Sequence, residues 1–480
     1  MDFFKVISKN KFIVGLLLVA LITRIIFVFV MPVKLWDETV YINLGYDLSK
    51  NPLDYSFANN GWSDFIPGGL YPKAGFRAPL LPYLVAFLYL LKINFLIDFI
   101  VPIFGAFSVL LIYLLGKNIF EEKTGKIAAL FLAFIPLHAF YSGRVLTDAV
   151  FTFFVLLTFL FFWKGFEQNN KKYKLLFGLS LAITLLSRYT ALWIMPVFFI
   201  YLFFRNRGFK FLRDKYLWYA VLLFILTLTP WLIYGLNEYG TPVGAFIHGA
   251  KASSYWGGVQ PWHFYFDYWW AAFSVLGYFS IVCIIYLLYK KEYLKKEVYF
   301  ILIWIVIFLG LAIYMPHKED RFILAIAPAL SLISAHVIKR FRYAKVITLA
   351  IVSALVISTG AYFYYEYKLY NNINSSCFEK IGAELKNTGG DFMIVSENPS
   401  LFRYYAKQES AYYPDVLNKK TIKELESISN KTVFFVFTRY NSGFEEEKWK
   451  ELVKIMKENY TKEFECPEDP EVNWIYSNKN

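Results

Sequence analysis

An acidic pair follows the first long apolar run of the sequence. Asp37 and Glu38 stand directly after Trp36, and a mixed polar and apolar run continues to about residue 48. A carboxylate held at the edge of a lipid bilayer is partly desolvated, which makes it a better acceptor for the proton of an incoming hydroxyl. Asp37 is therefore a candidate general base. The alternative is structural, because Asp37 could cap a helix whose first turn contains Glu38.

A second acid lies where two later apolar runs meet. Asp148 ends the stretch Ser142 to Asp148 and is expected about one turn inside an apolar helix. Ionisable groups inside a membrane are costly, so they are functional candidates by default. The alternative is a salt bridge to Arg144, which precedes Asp148 by four residues and would share its helical face.

Several cations interrupt or border the apolar runs. Arg77 stands two residues before the pair Pro79-Leu80. Arg188, with Ser187 before it and Tyr189 after it, interrupts a long apolar run. Lys318 and Arg321 belong to the charged stretch 317–322. Guanidinium groups match phosphate oxygens in a bidentate geometry, so these side chains could together bind a phosphate. The alternative is that each one extends toward lipid head groups.

Three histidines offer a weak pattern for a metal. His248, His263 and His317 fall in segments between apolar runs, and with Asp37 or Asp148 they could bind a divalent cation. No close spacing of ligands supports a metal site, so histidines that only form hydrogen bonds are the alternative. The sequence thus requires no cofactor, although a divalent cation is possible, with His248 and His263 as candidate ligands.

The chain that positions these residues is very apolar. It has 480 residues, of which 57% are hydrophobic and 18% charged, with a mean hydropathy of +0.42. This composition excludes a soluble enzyme, a disordered chain, collagen and a disulfide-rich scaffold. Because about 20 apolar residues cross a bilayer, we predict a polytopic α-helical membrane protein with about eleven spans, near 11–31, 99–116, 126–142, 146–163, 174–187, 190–204, 216–236, 266–289, 298–315, 322–338 and 345–365. The short run 78–93 contains Pro79 and Pro82 and predicts an interfacial or re-entrant helix.

The charges of the connecting segments predict the orientation. With a cytoplasmic N-terminus, the predicted inner segments carry 23 Lys and Arg against seven acids, as the positive-inside rule requires. Asp37, Asp148 and Glu319 then lie outside, as does the C-terminus after an odd number of spans. The basic excess behind the net charge of +13 belongs entirely to residues 1–365, which carry 34 basic and 18 acidic side chains, because residues 366–480 carry 16 basic and 19 acidic ones. It therefore indicates a multi-pass protein of the plasma membrane rather than a partner of nucleic acid.

The pattern changes after residue 365. We predict a transmembrane domain over 1–365, with a first outer loop at 32–78, and a small exoplasmic α/β domain over 366–480. The predicted helices lie at 378–386, 400–407, 421–427 and 445–458, and the strands at 392–396 and 432–438. Glycosylation sequons at Asn374, Asn430 and Asn459 suit an external domain, and Cys377 and Cys466 could pair in an oxidising compartment. Docking or shaping an acceptor is the expected role.

As an ordered set, these motifs resemble the multi-spanning C-type glycosyltransferases. The resemblance is to the branch of protein O-mannosyltransferases and lipid A aminoarabinose transferases, loosely glycosyltransferase family 39, and it covers about the first 340 residues. The stretch 317–322 is also similar to a motif of lipid-linked mannosyltransferases. The motifs are Asp37-Glu38 with Tyr41, Arg77-Ala78-Pro79-Leu80, Arg144 with Asp148, and Ser187-Arg188-Tyr189.

The resemblance implies a polyprenyl-phosphate sugar as donor and a protein, lipid or glycan as acceptor. It places the base at Asp37 and the second acid at Asp148. The family's Lys-Pro-Pro-Leu reads Arg77-Ala78-Pro79-Leu80 here, so either Lys73 or Arg77 would meet the phosphate. The candidate sets are Asp37, Asp148 and Glu38 for catalysis, Lys73, Arg77, Arg188, Lys318 and Arg321 for the phosphate, and Tyr41, Tyr189, His317, Glu319 and Asp320 for the substrates.

The expected reaction is one displacement with inversion at the sugar carbon. A phosphate leaves without a general acid, so the carboxyl pair of a glycosidase is unnecessary.

One alternative is a transporter or flippase of lipid-linked sugars, which would need access from both sides of the membrane. The acids on one side and the lack of an obvious inverted repeat favour the enzyme. A non-catalytic membrane scaffold that displays the C-terminal domain is the other alternative.

Overall fold

The computed structural model describes residues 10–57, 73–255, 259–371, 375–387, 392–396, 399–407, 411–412, 432–438, 454–466 and 473–477. The chain divides into two compact units. The first comprises residues 1–31, 76–81 and 95–367, and the second comprises 32–75, 82–94 and 368–480. Residues 58–72 of the predicted first outer loop, Asn374, Asn430, the predicted helix 421–427 and residues 445–453 of the predicted helix 445–458 lie outside the described residues.

Helices form most of the described chain. In order they are α1 (Lys11–Val30), α2 (Trp36–Lys50), α3 (Leu80–Leu90), α4 (Ile97–Ile119), α5 (Glu122–Phe134), α6 (Pro136–Tyr141), α7 (Thr147–Phe162), α8 (Lys171–Ser187), α9 (Met195–Arg205), α10 (Lys215–Tyr239), α11 (Gly244–Tyr255), α12 (Phe264–Asp267), α13 (Trp269–Tyr289), α14 (Lys296–Tyr314), α15 (Ala327–Ile338) and α16 (Ala344–Asn371). Short 3₁₀ segments at Tyr189–Ile194 and Asp320–Ile326 precede α9 and α15.

The prediction of a multi-spanning helical membrane protein is confirmed. Among the described residues, eight helical stretches are long and apolar enough to cross a bilayer: Lys11–Val30, Asn94–Ile119, Thr147–Glu167, Lys215–Tyr239, Trp269–Tyr289, Lys296–Tyr314, Asp320–Ile338 and Ala344–Leu369. The remaining three predicted spans correspond to shorter helices. Proline explains two of these, because Pro136 starts α6 with one residue between it and the end of α5, and Pro196 stands in the first turn of α9.

The interior of the first unit is built from aromatic and small residues. Phe159 of α7 stacks on Trp304 of α14 with ring centroids 3.9 Å apart, and both side chains are fully buried. Gly178 lets α8 approach α10, since a Cβ there would lie 2.0 Å from the carbonyl oxygen of Ala220. Such close approach by small residues is typical of helix packing in membranes. The packing fixes α7, whose first turn carries Asp148, and α8, which ends one residue before Arg188.

The second unit contains a five-stranded mixed sheet. After helix α17 (Ser375–Asn387) come β1 (Phe392–Ser396), α18 (Pro399–Ala406), β2 (Ala411–Tyr412), β3 (Thr432–Thr438), β4 (Thr461–Glu465) and β5 (Asn473–Ser477). The strand order is β2-β1-β3-β5-β4, with β1 parallel to β2 and β3, and with β5 antiparallel to β3 and β4. Strands β1 and β3 have the bounds that the sequence predicted. A disulfide joins Cys377 to Cys466, as the sequence allowed.

Candidate functional site

A buried ion-pair cluster in the first unit is centred on Asp148. Its carboxylate is only 2% exposed and forms ion pairs with Arg188 and, at 3.8 Å, with Nη1 of Arg321. Helix α7 begins at Thr147, so Arg144 lies before the helix and does not share the helical face of Asp148 that the alternative salt bridge assumed. Nη1 of Arg144 donates to the carbonyl of Met31 at 3.4 Å. Asp148 also lies in the first turn of α7, nearer the helix end than predicted.

A break between two helices brings Arg188 to this cluster. Helix α8 ends at Ser187, and Arg188 has an extended backbone before the 3₁₀ segment Tyr189–Ile194 begins. Its guanidinium lies 4.9 Å from the ring centroid of Phe322, a cation–π distance. Nη1 of Arg188 is also 3.5 Å from the hydroxyl of Thr147. The polar interruption in the sequence thus corresponds to a local loss of helix that turns Arg188 toward α7.

The charged stretch 317–322 supplies the second arginine. Arg321 Nε donates to Oε2 of Glu319 at 2.5 Å, and His317 Nε2 lies 3.0 Å from Oε1 of the same carboxylate. Tyr265 is buried close enough to interact electrostatically with Arg188 and Glu319. Its burial raises the pKa of its hydroxyl. Arg321 is thus held by carboxylates on two sides, and two guanidinium groups of the cluster meet at Asp148.

Two other residues of this stretch make contacts that anchor the backbone. Asp320 accepts hydrogen bonds from the hydroxyls of Tyr141 at 2.8 Å and Tyr362 at 3.0 Å, which ties the segment to α6 and α16. Lys318 is 5% exposed and donates to the carbonyls of Gln260 at 3.0 Å and Met315 at 2.6 Å. Substrate binding by Asp320 and phosphate binding by Lys318 stay predictions, and the described contacts give both residues a structural role.

Sequence reasoning missed Tyr141 and Tyr362. They lie 179 and 42 residues from Asp320 along the chain. Neither tyrosine stands in a motif, and with 37 Tyr in the chain no pattern separates these two from the others. A buried carboxylate needs hydrogen-bond donors, but the sequence does not say which of the many hydroxyls will reach it.

Arg77 and Tyr189 also lie near each other in the first unit. The Tyr189 hydroxyl donates to the carbonyl of Arg77 at 3.3 Å and accepts from Nε1 of Trp231 at 3.1 Å. The Arg77 guanidinium lies 5.1 Å from the ring centroid of Phe76. Because Tyr189 directly follows Arg188, these contacts connect the backbone at Arg77 to the segment that carries Arg188.

The acidic pair of the first loop lies in the second unit. Helix α2 begins at Trp36, so Asp37 is inside its first turn, and the carboxylate of Glu38 accepts from the backbone N–H of Leu35 at 2.9 Å. The capping contact that was the alternative for Asp37 is therefore made by Glu38, which is fully buried. Asp37 is half-buried. Its predicted role as base, and its convergence with Asp148, remain predictions.

The other first-loop candidates also have described positions. Tyr41 lies on α2 and is 5% exposed, and Lys73 pairs with Ser56 in an isolated antiparallel bridge. The substrate role of Tyr41 and the phosphate role of Lys73 stay predictions.

The candidate metal ligands have protein partners. His248 packs against the rings of Phe76 and Tyr239, with centroids 5.9 and 4.8 Å away. His263 is exposed, and its Nδ1 lies 2.7 Å from a carboxylate oxygen of Asp267. Within the described part of the chain, His, Cys, Asp and Glu form no group of three that could hold a metal ion. A divalent cation thus stays a prediction.

Comparison with known proteins gives two kinds of match. Residues 76–234 match the family model described as dolichyl-phosphate-mannose-protein mannosyltransferase. No curated protein matches the chain. Among solved structures, ArnT from Cupriavidus metallidurans bound to undecaprenyl phosphate has a TM-score of 0.69 at 11% identity, with 97% of this chain and 98% of that chain covered.

Archaeal oligosaccharyltransferases share the fold as well. The Archaeoglobus fulgidus enzyme in its apo form has a TM-score of 0.63 at 14% identity, covering 89% of this chain and 70% of that one. The complex of AglB from the same organism with an inhibitory peptide and a dolichol-phosphate has a TM-score of 0.59 at 14% identity, with the same coverage. The structural matches show that the chain shares the fold of ArnT and of the archaeal oligosaccharyltransferase. The family-model match favours a glycosyltransferase over a flippase. Together, the two kinds of match confirm the predicted resemblance to the protein O-mannosyltransferase and ArnT branch of the multi-spanning C-type glycosyltransferases.

Proposed function

We propose that this chain is an integral-membrane, inverting glycosyltransferase that moves a sugar from a polyprenyl-phosphate donor to an acceptor on the outer face of the plasma membrane. The observation that carries the proposal is the buried cluster in which Arg188 and Arg321 meet at Asp148. Two guanidinium groups held together in this way suit the oxygens of a phosphate. The structures of similar proteins with bound undecaprenyl phosphate and dolichol-phosphate support a lipid phosphate as part of the donor.

In the proposed reaction, Asp37 accepts the proton of the acceptor group as that group attacks the sugar carbon. The bond to the phosphate breaks on the opposite side, so the configuration of the sugar carbon inverts. Arg188 and Arg321, together with Arg77 or Lys73, stabilise the negative charge of the departing polyprenyl phosphate. Asp148 faces two cations, which favours a role in orienting them over a role in proton transfer. The arginines supply the positive charge, so no cofactor is obligatory, and a divalent cation is an optional addition.

The proposed arrangement in the membrane has about eleven spans, a cytoplasmic N-terminus and an external C-terminal α/β domain. The basic inner segments support this orientation. The disulfide between Cys377 and Cys466 supports it independently, because such bonds persist in oxidising compartments outside the cytoplasm.

The test replaces Asp37 by Asn, with Asp54→Asn as a matched acid-to-amide control in the same loop. Cells that lack the gene should accumulate a polyprenyl-phosphate sugar and lose a surface glycan, both measured by mass spectrometry. We expect the Asp54 variant to restore the glycan. The Asp37 variant should insert and bind polyprenyl phosphate normally without restoring the glycan.

A second experiment separates the enzyme from a flippase. A detergent micelle does not separate two compartments, so a flippase purified in micelles has no substrate movement to perform and forms no glycan product. An enzyme in the same micelles still transfers sugar. Glycan product is expected with the wild type when polyprenyl-phosphate sugars and the acceptor, both extracted from cells that lack the gene, are added. Full transfer by the Asp37 variant would remove the base assignment, and unchanged glycans in cells without the gene would overturn the proposed function.

A further inference from the structure

One face of helix α2, the helix that carries Asp37, is occupied by helix α18 near the end of the chain. Thr39, Asn43 and Asp47 follow one another at intervals of four residues, so they share one face of α2. All three side chains are less than 9% exposed. Polar residues are mostly exposed in proteins, so a buried polar row on one helix face indicates specific partners.

The partners of this row belong to α18. The Thr39 hydroxyl lies 3.0 Å from the hydroxyl of Ser400, and Asn43 Nδ2 donates to the Ser400 carbonyl at 2.9 Å. Asp47 accepts two hydrogen bonds from Arg403, at 2.7 Å from Nη1 and 2.6 Å from Nη2. The Arg403 and Asp47 side chains are 10% and 8% exposed. This bidentate geometry restricts the angle as well as the distance between the two helices.

The start of α2 and its opposite side are also held. The hydroxyl of Tyr405 accepts from the backbone N–H of Lys34 at 2.7 Å, just before the helix begins. On another face, a Cβ at Gly45 would lie 2.4 Å from a side-chain carbon of Val85, so α3 packs directly against the α2 backbone there. Helix α2 is thus bounded by α18 and by α3, which limits its rotation about its own axis.

That rotation decides where Asp37 projects. At about 100° per residue, Asp37 lies roughly 200° around the helix from Thr39, and so it is not on the face that contacts α18. We propose that the C-terminal region is a positioning element for the general base: Arg403 and Ser400 hold α2 at the rotation in which Asp37 meets the acceptor. The inference rests on the proposed function, because it gives Asp37 the role of base.

The test compares Arg403→Gln with Lys407→Gln, which removes the same charge from an exposed position at the end of the same helix. Arg403→Gln leaves Asp47 without its charged partner, so the double variant Asp47→Asn with Arg403→Gln is measured as well. Arg403→Lys keeps the charge but loses the bidentate bond. Each protein is added to membranes of cells that lack the gene, and glycan product, binding of undecaprenyl or dolichyl phosphate, and hydrogen exchange of residues 36–50 are recorded.

We expect kcat for transfer to fall on the order of tenfold to a hundredfold in Arg403→Gln and in the double variant, since small misplacements of a catalytic group have effects of this size. Polyprenyl phosphate binding should stay unchanged, exchange should rise in residues 36–50 but not in α7 or α8, and Arg403→Lys should be intermediate. Wild-type transfer and exchange in both Arg403→Gln and the double variant would overturn the positioning role, even with Asp37→Asn inactive. A fully active Asp37→Asn would instead overturn the proposed function on which the inference rests.

Discussion

Replacing Asp148 by Asn tests the central ion-pair cluster. The amide has nearly the same shape as the carboxylate, so the change removes charge with little change in packing. Asp148 is 2% exposed and is the shared partner of Arg188 and Arg321. In the variant, two guanidinium groups that are 16% and 14% exposed lose the carboxylate that both contact.

The size of the effect follows from the geometry. At 3.8 Å, the Asp148–Arg321 pair has an attraction of about 4 kcal/mol at an effective dielectric constant of about 20. The desolvation of buried charges offsets much of this attraction, but that cost remains when only one partner is removed. We therefore expect the free energy of unfolding to fall by about 3–5 kcal/mol, the range for breaking a buried pair.

The measurement is chemical unfolding in mixed micelles, followed by tryptophan fluorescence. Asp267→Asn is the matched control, because Asp267 also forms an ion pair, with His263, but both side chains are exposed. That variant should change stability by less than about 1 kcal/mol. Adding Arg188→Gln to Asp148→Asn should recover part of the loss, since it removes one of the two cations that lose the Asp148 carboxylate. A loss in Asp148→Asn no larger than in the control would refute the counter-ion role.

Two further predictions concern single contacts. Tyr362→Phe removes one of the hydroxyl donors to Asp320 and should lower the free energy of unfolding by about 1.5–3 kcal/mol. The control is Tyr365→Phe, because Tyr365 is exposed on the same helix. Its free energy of unfolding should stay within about 0.5 kcal/mol of the wild type. Glu292 accepts hydrogen bonds from Arg340, which lowers the Glu292 pKa from 4.5 to about 2. Its contribution to stability is therefore complete above pH 4.5 and is lost as the pH falls toward 2. Unfolding measured across this range should show a shallower pH dependence in Glu292→Gln, and an equal slope in both proteins would contradict the assignment.

Local features of the site were predictable from the sequence, whereas its pairings were not. The Ser187-Arg188 interruption of an apolar run predicted a break, and α8 does end there. The partner of Arg188 could not be predicted, because Asp148 lies 40 residues away and no helical spacing relates the two. Spacing instead suggested Arg144, but the helical face on which that expectation relied is absent, because the helix begins only at Thr147.

In the first loop, too, the start of a helix was predictable but the residue that makes the capping contact was not. An Asp followed by Glu resembled a capped helix start, but Glu38 reaches back to the N–H of Leu35 and the helix starts one residue before Asp37. The strands β1 and β3 were predicted with their bounds because each is a short β-branched and aromatic run. Strands β4 and β5 carry more polar residues, so no comparable apolar run marked them in the sequence.

The contact between α2 and α18 affects how the protein could be divided or recombined. Exchanging the C-terminal region for that of a relative, or removing everything after residue 367, would leave Asp47 without Arg403 and Thr39 without Ser400. A chimera that takes α2 and α18 from the same parent keeps these pairs together. Residues near the two ends of the gene should therefore change in concert as such proteins diverge, even though more than 350 positions separate them.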